Sequence, residues 1–317
     1  MNTHGKWRDL NGSIPSHPWV KAFNDTIRIS PLPHLGGRET IIATDSSGLH
    51  RQNPFETLGL LILDFDSALE WEVLRQTIRR DILKDSRRMS FKQLNEPVRQ
   101  RALVPFLRAA DQINGLCLSI AVNKQIDMLC GGRWIYEQLN KEGILKASWT
   151  FESFERMSRT AHFVKLLTAG LCSEGQNVFW ISDQDEMFES PQKSEDTLRL
   201  LSSYHQTYIN WPMGKMRVGT TKMDEGDRFE EDFAAIPDLA AGALSELVMR
   251  MKNDSATNLA EIPTSGLVSD VSPKSDILLS WLADNTQKLK RTSLVFDRRE
   301  DGKFRIAKIW SKKEFEN

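Results

Sequence analysis

Three aspartates stand where folding could bring acids together. Asp45 closes the apolar run Ile41-Ile42-Ala43-Thr44, and Asp183 closes Val178-Phe179-Trp180-Ile181-Ser182. Asp238 lies in Ile236-Pro237-Asp238-Leu239-Ala240-Ala241-Gly242-Ala243. Carboxylates are hard oxygen ligands, and two or three of them converging can hold Mg²⁺ or Mn²⁺ while leaving waters on the ion. Two such ions about 3.5–4 Å apart activate a water and stabilise the leaving oxygen in phosphodiester cleavage. The small residues from Ala240 to Ala243 let a helix lie close to a sheet, which would carry Asp238 toward the strand ends. Asp185 is a further candidate ligand, and Asp232 competes with Asp238 if the helix register differs. Each acid also has a plainer reading. Asp45 before Ser46-Ser47-Gly48 suits a turn that bonds its own backbone. Asp183, Asp185 and Glu186 suit a helix N-terminus, and Asp238 after Pro237 suits the first turn of a restarted helix.

Basic residues form a second group. Arg75, Arg79, Arg80, Lys84, Arg87 and Arg88 begin the most basic stretch of the chain, which runs to Arg108 and includes the acids Asp81, Asp85 and Glu96. It is the candidate for tracking a phosphate backbone, with a solvated helix face as the alternative. Lys92 and Lys124 would be useful beside a phosphate or an acid cluster, or would cap strands. His50 follows Asp45 closely in a loop.

Composition narrows the field. The 317 residues are 40% apolar and 27% charged, with a formal net charge of -1. That is a packed globular chain, and any nucleic-acid contact must come from a local patch. Cys117, Cys130 and Cys172 lack paired metal-site spacing and read as buried thiols. There is no Gly-x-Ser-x-Gly elbow, no Walker A loop and no Gly-x-Gly-x-x-Gly, which removes the commonest hydrolase, NTPase and dinucleotide readings. The N-terminus lacks the apolar core of a secretory signal. No apolar run approaches the ~20 residues of a membrane span. The expectation is a cytoplasmic protein without membrane contact.

Periodicity supplies the positioning elements. Strands are expected at 39–45, 55–63, 115–124, 177–182 and 215–221, with 87–94 extended or a short strand. Helices are expected at 68–84, where Leu69, Val73, Ile78 and Ile82 make an apolar stripe, and at 96–113. Further helical regions are expected within 131–174, 194–210 and 229–251 (interrupted by Pro237), and at 275–289. Asp301-Gly302 is the best hairpin signal in the chain, between strands 292–298 and 303–310. This is an α/β chain with a mixed sheet flanked by helices and a C-terminal helix plus β-hairpin. It divides into an N-terminal extension (1–37), a central domain (38–251) and a linker, helix and hairpin (252–317).

In this order the pieces resemble the family named domain of unknown function 3800, a ribonuclease H-like group of bacteria, phages and mobile elements. Ile41-Ile42-Ala43-Thr44-Asp45-Ser46-Ser47-Gly48 is similar to its first-strand Asp-Glu-Ser-Gly motif. Phe55 to Leu61 resembles its second strand, in which an apolar run carries a glycine. Met89-Ser90-Phe91-Lys92 and Ile120-Ala121-Val122-Asn123-Lys124 resemble its lysine-bearing elements. Phe179 to Asp183 resembles its strand ending in aspartate, and Asp238 to Ala243 its C-terminal helix motif. Ser46 stands where the family has Glu, and Pro237 where it has a small residue, with Asp185 and Glu186 as replacements. The resemblance covers about 39–250 and implies a ribonuclease H-like fold. Asp45, Asp183 and Asp238 would then hold Mg²⁺ or Mn²⁺, with Lys92 and Lys124 accessory. It implies a metal-dependent nuclease acting on RNA or DNA in a defence or mobile-element setting. The alternative is an inactive ribonuclease H-like binding or scaffold subunit, with a protein partner or a second copy docking on the hairpin through Phe304, Ile306 and Ile309.

Overall fold

A computed structural model describes residues 5–10, 17, 19–48, 52–126, 129, 132–183, 186–224, 226–253, 261–262, 271–298 and 304–311. The strands are β1 (Glu39–Ser47), β2 (Phe55–Asp64), β3 (Gly115–Asn123), β4 (Asn177–Ser182), β5 (Met216–Thr220), β6 (Glu261–Ile262), β7 (Leu289–Arg298) and β8 (Phe304–Ser311). They form one mixed sheet in the order β5-β4-β1-β2-β3-β7-β8-β6. β1, β2 and β3 are an antiparallel meander, β4 lies parallel to β1, and β5 lies parallel to β4. On the other side β7 lies parallel to β3 and forms a hairpin with β8. Every residue of β3 is buried, as expected of a central strand covered on both faces.

The helices are α1 (Trp19–Arg28), α2 (Leu69–Asp81), α3 (Pro97–Ala110), α4 (Gly132–Lys141), α5 (Phe151–Leu171), α6 (Pro191–Tyr208), α7 (Phe229–Asn253) and α8 (Pro273–Ala283). Three of them, α3, α5 and α6, start on side-chain caps. Thr150 accepts from Ser153 N, Ser190 from Lys193 N and Glu96 from Val98 N, with Pro97 and Pro191 in the first turns. Two cores flank the sheet. Trp71, Phe106, Phe233, Leu239 and Leu278 pack with Ile41, Ala43, Leu61 and Leu63 on the α2, α3, α7 and α8 side. Trp19, Phe23, Phe163 and Tyr204 pack with Ile42, Leu60 and Ile62 on the α1, α5 and α6 side. This alternation along β1 and β2 sends Asp45 to the α7 side and Ser46 to the α5 side. No helix among the described residues is long and apolar enough to cross a membrane.

Four local expectations change. Residues 87–94 form no strand; a 3-10 turn occupies Phe91–Gln93. The stripe on α2 is rotated, since Leu69 and Val73 are exposed while Trp71, Arg75 and Ile78 are buried. Arg75 is buried because Asp232 meets it there. Pro237 does not interrupt α7, which runs through it. The proline removes one backbone donor, but packing on both sides keeps the helix continuous. Ile306 and Ile309 do not share a face: Ile309 joins the core beside α7, and Ile306 packs toward α1. The turn Asp301-Gly302 lies outside the described residues.

The terminal segments are built into these layers. Trp19, Val20, Phe23 and Ile27 of α1 lie in one core, and Leu278, Leu279 and Leu282 of α8 lie in the other.

Candidate functional site

The register of two parallel strands sets the site. Thr44 of β1 pairs with Ser182 of β4, so the next residues stand side by side, Asp45 near the end of β1 and Asp183 just past the end of β4. They do so at the carboxyl ends of neighbouring parallel strands, where open α/β sheets bind ligands. α7 brings the third acid. Gly59 of β2 pairs with Asp45, and a Cβ on Gly59 would collide with the Pro237 carbonyl. The bare glycine therefore lets the α7 backbone settle on β2 next to Asp45, and Asp238 follows at the adjoining position. Gly242, one turn further on, leaves room for the Phe91 ring. Phe91 in turn donates its backbone N–H to Asp238 Oδ2 at 2.7 Å.

An arginine joins the three acids. Arg88 Nη1 donates to Asp183 Oδ1 at 2.8 Å, and its Nη2 lies 2.6 Å from Asp183 Oδ2 and 3.6 Å from Asp45 Oδ2. Thr221 Oγ1 also donates to Asp183 Oδ1, at 2.8 Å. Asp45 Oδ1 accepts from the Ser46 N–H at 2.6 Å. Burial pushes the Asp45 carboxyl well above the usual carboxylate range, and repulsion from Asp238 and Asp183 adds to it, against the pull of Arg88 and the Ser46 amide. Burial also raises Asp238, with Asp183 adding, although the Phe91 amide, the Ser90 hydroxyl and Arg88 act the other way. Carboxylates crowded in this way favour a cation among them.

The other predicted site residues scatter. Lys92 is exposed on the turn after Arg88. Lys124 Nζ donates to the Gly48 carbonyl at 2.9 Å and so ties the turn after β1. Glu186 turns to the α5 side, where Ser153, Arg156 and Lys193 hold it. Asp185 and His50 lie outside the described residues. Ser46 lines a small cavity with Glu56, Arg156 and Arg159.

The basic stretch is not one open face. Arg75 is 1% exposed and Asp232 is 0% exposed. Arg75 and Arg79 both pair with Asp232, so their charges are neutralised inside the protein and are not available to a phosphate backbone. Arg87 pairs with Asp85 and Glu96. Arg80 is exposed beside Asp81, and Lys84 is exposed just after α2. In sequence, a buried pair and a solvated charge run look alike. The competitor Asp232 is therefore an internal counter-ion, and Asp238 is the acid beside Asp45. Arg88, taken from sequence as a phosphate contact, belongs to the carboxylate site, as does Thr221, which nothing in the sequence singled out.

A second acidic group lies nearby. Asp224, Asp227 and Glu230 each bring a carboxylate oxygen within 4.8 Å of the others, the one such group of acids, histidines or cysteines among the described residues. Its acids have local work. Asp224 accepts from the amides of Gly226, Arg228 and Glu231, and the group lies at the start of α7, where carboxylates complement the helix dipole. The Asp45, Asp183 and Asp238 oxygens are spread more widely, around the guanidinium.

No family model matches the chain, and a search of curated proteins finds no relative.

Proposed function

We propose that this chain is a ribonuclease H-like, divalent-metal-dependent nuclease of the cytoplasm, with Asp45, Asp183 and Asp238 as its metal ligands. The observation that carries the reading is the convergence of these acids from two parallel strand ends and the helix packed over them. The antiparallel meander flanked by two strands parallel to its first member supports the fold assignment.

In chemical type the donor set suits Mg²⁺ or Mn²⁺, and the three carboxylates would close in on the ion from their spread around Arg88. All three groups are hard oxygen ligands, and burial, with mutual repulsion adding to it, raises the Asp45 and Asp238 carboxyls, a cost that a divalent cation would relieve. When bound, such ions would supply an activated water and stabilise the leaving oxygen of a phosphodiester. The chain's own groups set the geometry. Thr221 and Arg88 orient Asp183, the Phe91 amide fixes Asp238, and the Ser46 amide fixes Asp45. Exposed Lys84 and Lys92 flank the segment carrying Arg88 and would meet the RNA or DNA backbone.

The test is cleavage of labelled single- and double-stranded RNA and DNA with Mg²⁺, Mn²⁺ or EDTA, comparing wild type with Asp45→Asn. Metal-dependent cutting that the variant loses is the expected result. Cutting that persists in EDTA or in the variant overturns the reading.

A second reading has its own observation. Arg88 already neutralises part of the acid cluster, as a permanent counter-ion would in an inactive scaffold subunit. Nucleic-acid binding without cleavage, unchanged by Asp45→Asn, is the outcome that favours it.

A further inference from the structure

Residues 82–90 join α2 to the turn at Phe91 without helix or strand of their own. Ser86 sits in the left-handed region at φ 58°. The strap is nevertheless pinned along its length. Arg79 Nη1 donates to the Arg87 carbonyl at 2.7 Å, and Arg99 Nε donates to the Arg88 carbonyl at 2.7 Å. Asp85 and Glu96 hold the Arg87 side chain. Phe91 N is held by Asp238, and Met89 is fully buried. Arg79 is fixed in turn by Asp232. Much of the basic stretch therefore serves to hold the backbone from which Arg88 projects. The Arg88 side chain itself is 28% exposed, so a partly exposed cation on a fixed base stands against a fixed anion cluster.

We propose that Arg88 is the resident counter-ion of the carboxylate cluster, that a divalent cation must displace it from Asp183 and Asp45, and that the displaced guanidinium then takes a phosphate of the bound strand. This rests on the metal-ligand reading of the three acids above. The chemistry favours exchange over sharing. A guanidinium keeps its proton in proteins, so it leaves only by swinging away. It holds Asp183 through both terminal nitrogens, a bidentate grip on the oxygens a metal needs. Two cations within a few ångströms repel strongly where water is scarce. Once displaced, the same planar fork matches a phosphate. The site is thus occupied by its own arginine until a divalent cation arrives, and the freed arginine is then available to the polyanion.

The reading separates two effects that usually move together. Removing the guanidinium strengthens metal binding and weakens cleavage. The experiment is a calorimetric titration of Mn²⁺ into the full chain, wild type against Arg88→Ala, with melting curves with and without Mn²⁺. Arg88→Ala is expected to bind Mn²⁺ at least about fivefold more tightly, the lower end of ordinary coupling between two sites. Without metal it is expected to melt lower, and Mn²⁺ is expected to raise its melting temperature more than it does for wild type. A merely structural arginine would lower the melting temperature and leave the Mn²⁺ affinity unchanged. If wild type binds Mn²⁺ and Arg88→Ala binds it no more tightly, the displacement proposal is overturned and the metal-ligand reading stands. If neither protein binds Mn²⁺, both are overturned. Should Arg88→Ala fail to fold, Arg88→Gln, which keeps a polar side chain without the charge, carries the same comparison.

Discussion

Asp183 receives hydrogen bonds from Arg88 and Thr221 on the same oxygen, and the two donors are not equivalent. Arg88 brings charge, whereas Thr221 brings orientation alone. Loss of such an orienting partner typically lowers metal affinity or activity about 10–100-fold. Thr221→Ala is expected to weaken Mn²⁺ binding within that range while its melting temperature without metal stays near that of wild type. Unchanged affinity would show that Thr221 does not position Asp183. Across the sheet, Glu56 offers a check on electrostatics away from the acids. Burial pushes its carboxyl up, but Arg159 and Arg156 together outweigh burial and hold it below the usual range. Its folded pKa is thus depressed. The ion pairs stabilise the fold above the unfolded value of about 4.3 and lose that stabilisation as pH falls through the folded value. Glu56→Gln is expected to destabilise by about 3 kcal/mol at pH 7. That gap should shrink below about pH 4 in denaturant titrations run across pH; a pH-independent gap would contradict the assignment. The three aspartates were legible in the sequence because each follows or interrupts an apolar run, where a charge needs a reason. Arg88 was legible only as one more basic residue, because nothing in a charge count tells which arginine turns inward.

At the level of elements, the contact of α7 with β2 decides whether the acids meet. Gly59 allows it, and Thr57 Oγ1 anchors it by donating to the Ala241 carbonyl at 3.0 Å. Gly59→Ala is expected to force α7 off the sheet, to cost about 1–3 kcal/mol as an overpacked core position, and to abolish tight Mn²⁺ binding. A variant that binds Mn²⁺ as wild type does would show that the approach of α7 does not set the site. The small residues of α7 were visible in the sequence as a hint of close packing, whereas the glycine of the second strand was noted only as part of a family resemblance. The rotation of α2 was not, because Leu69 and Val73 satisfied an apolar periodicity as well as the residues that face inward. The buried Arg75–Asp232 pair overrode the pattern: a charged residue with an internal partner can take a core position, and periodicity counts it as surface. The strap at 82–90 escaped for a different reason. Its course is set by hydrogen bonds from distant side chains rather than by any repeating pattern.

For the whole molecule, the chain after residue 251 completes the sheet. β7 pairs with β3 over the length of that strand, and α8 packs on α7 in the core beneath the acids. Truncation after Met251 would open a buried strand edge and an apolar helix face, both aggregation hazards. The truncated chain is expected to lose its cooperative melt and to elute as larger species than the full chain in size-exclusion chromatography; a cooperative melt with elution no earlier than the full chain would make the segment dispensable. The late helix and the hairpin strands were readable from the sequence, but their place beside β3 was not, since strand pairing across so long a connection leaves no local mark. Strands β1, β2 and β4 were readable as elements, but the pairing of β4 with β1 that sets Asp45 beside Asp183 was not. The most direct measurement of the central claim is anomalous diffraction from crystals of the full chain grown with Mn²⁺. The expected result is a peak bounded by Asp45, Asp183 and Asp238, with Arg88 swung clear. A peak only at Asp224, Asp227 and Glu230, or Arg88 still seated on Asp183 with no manganese beside it, would contradict it.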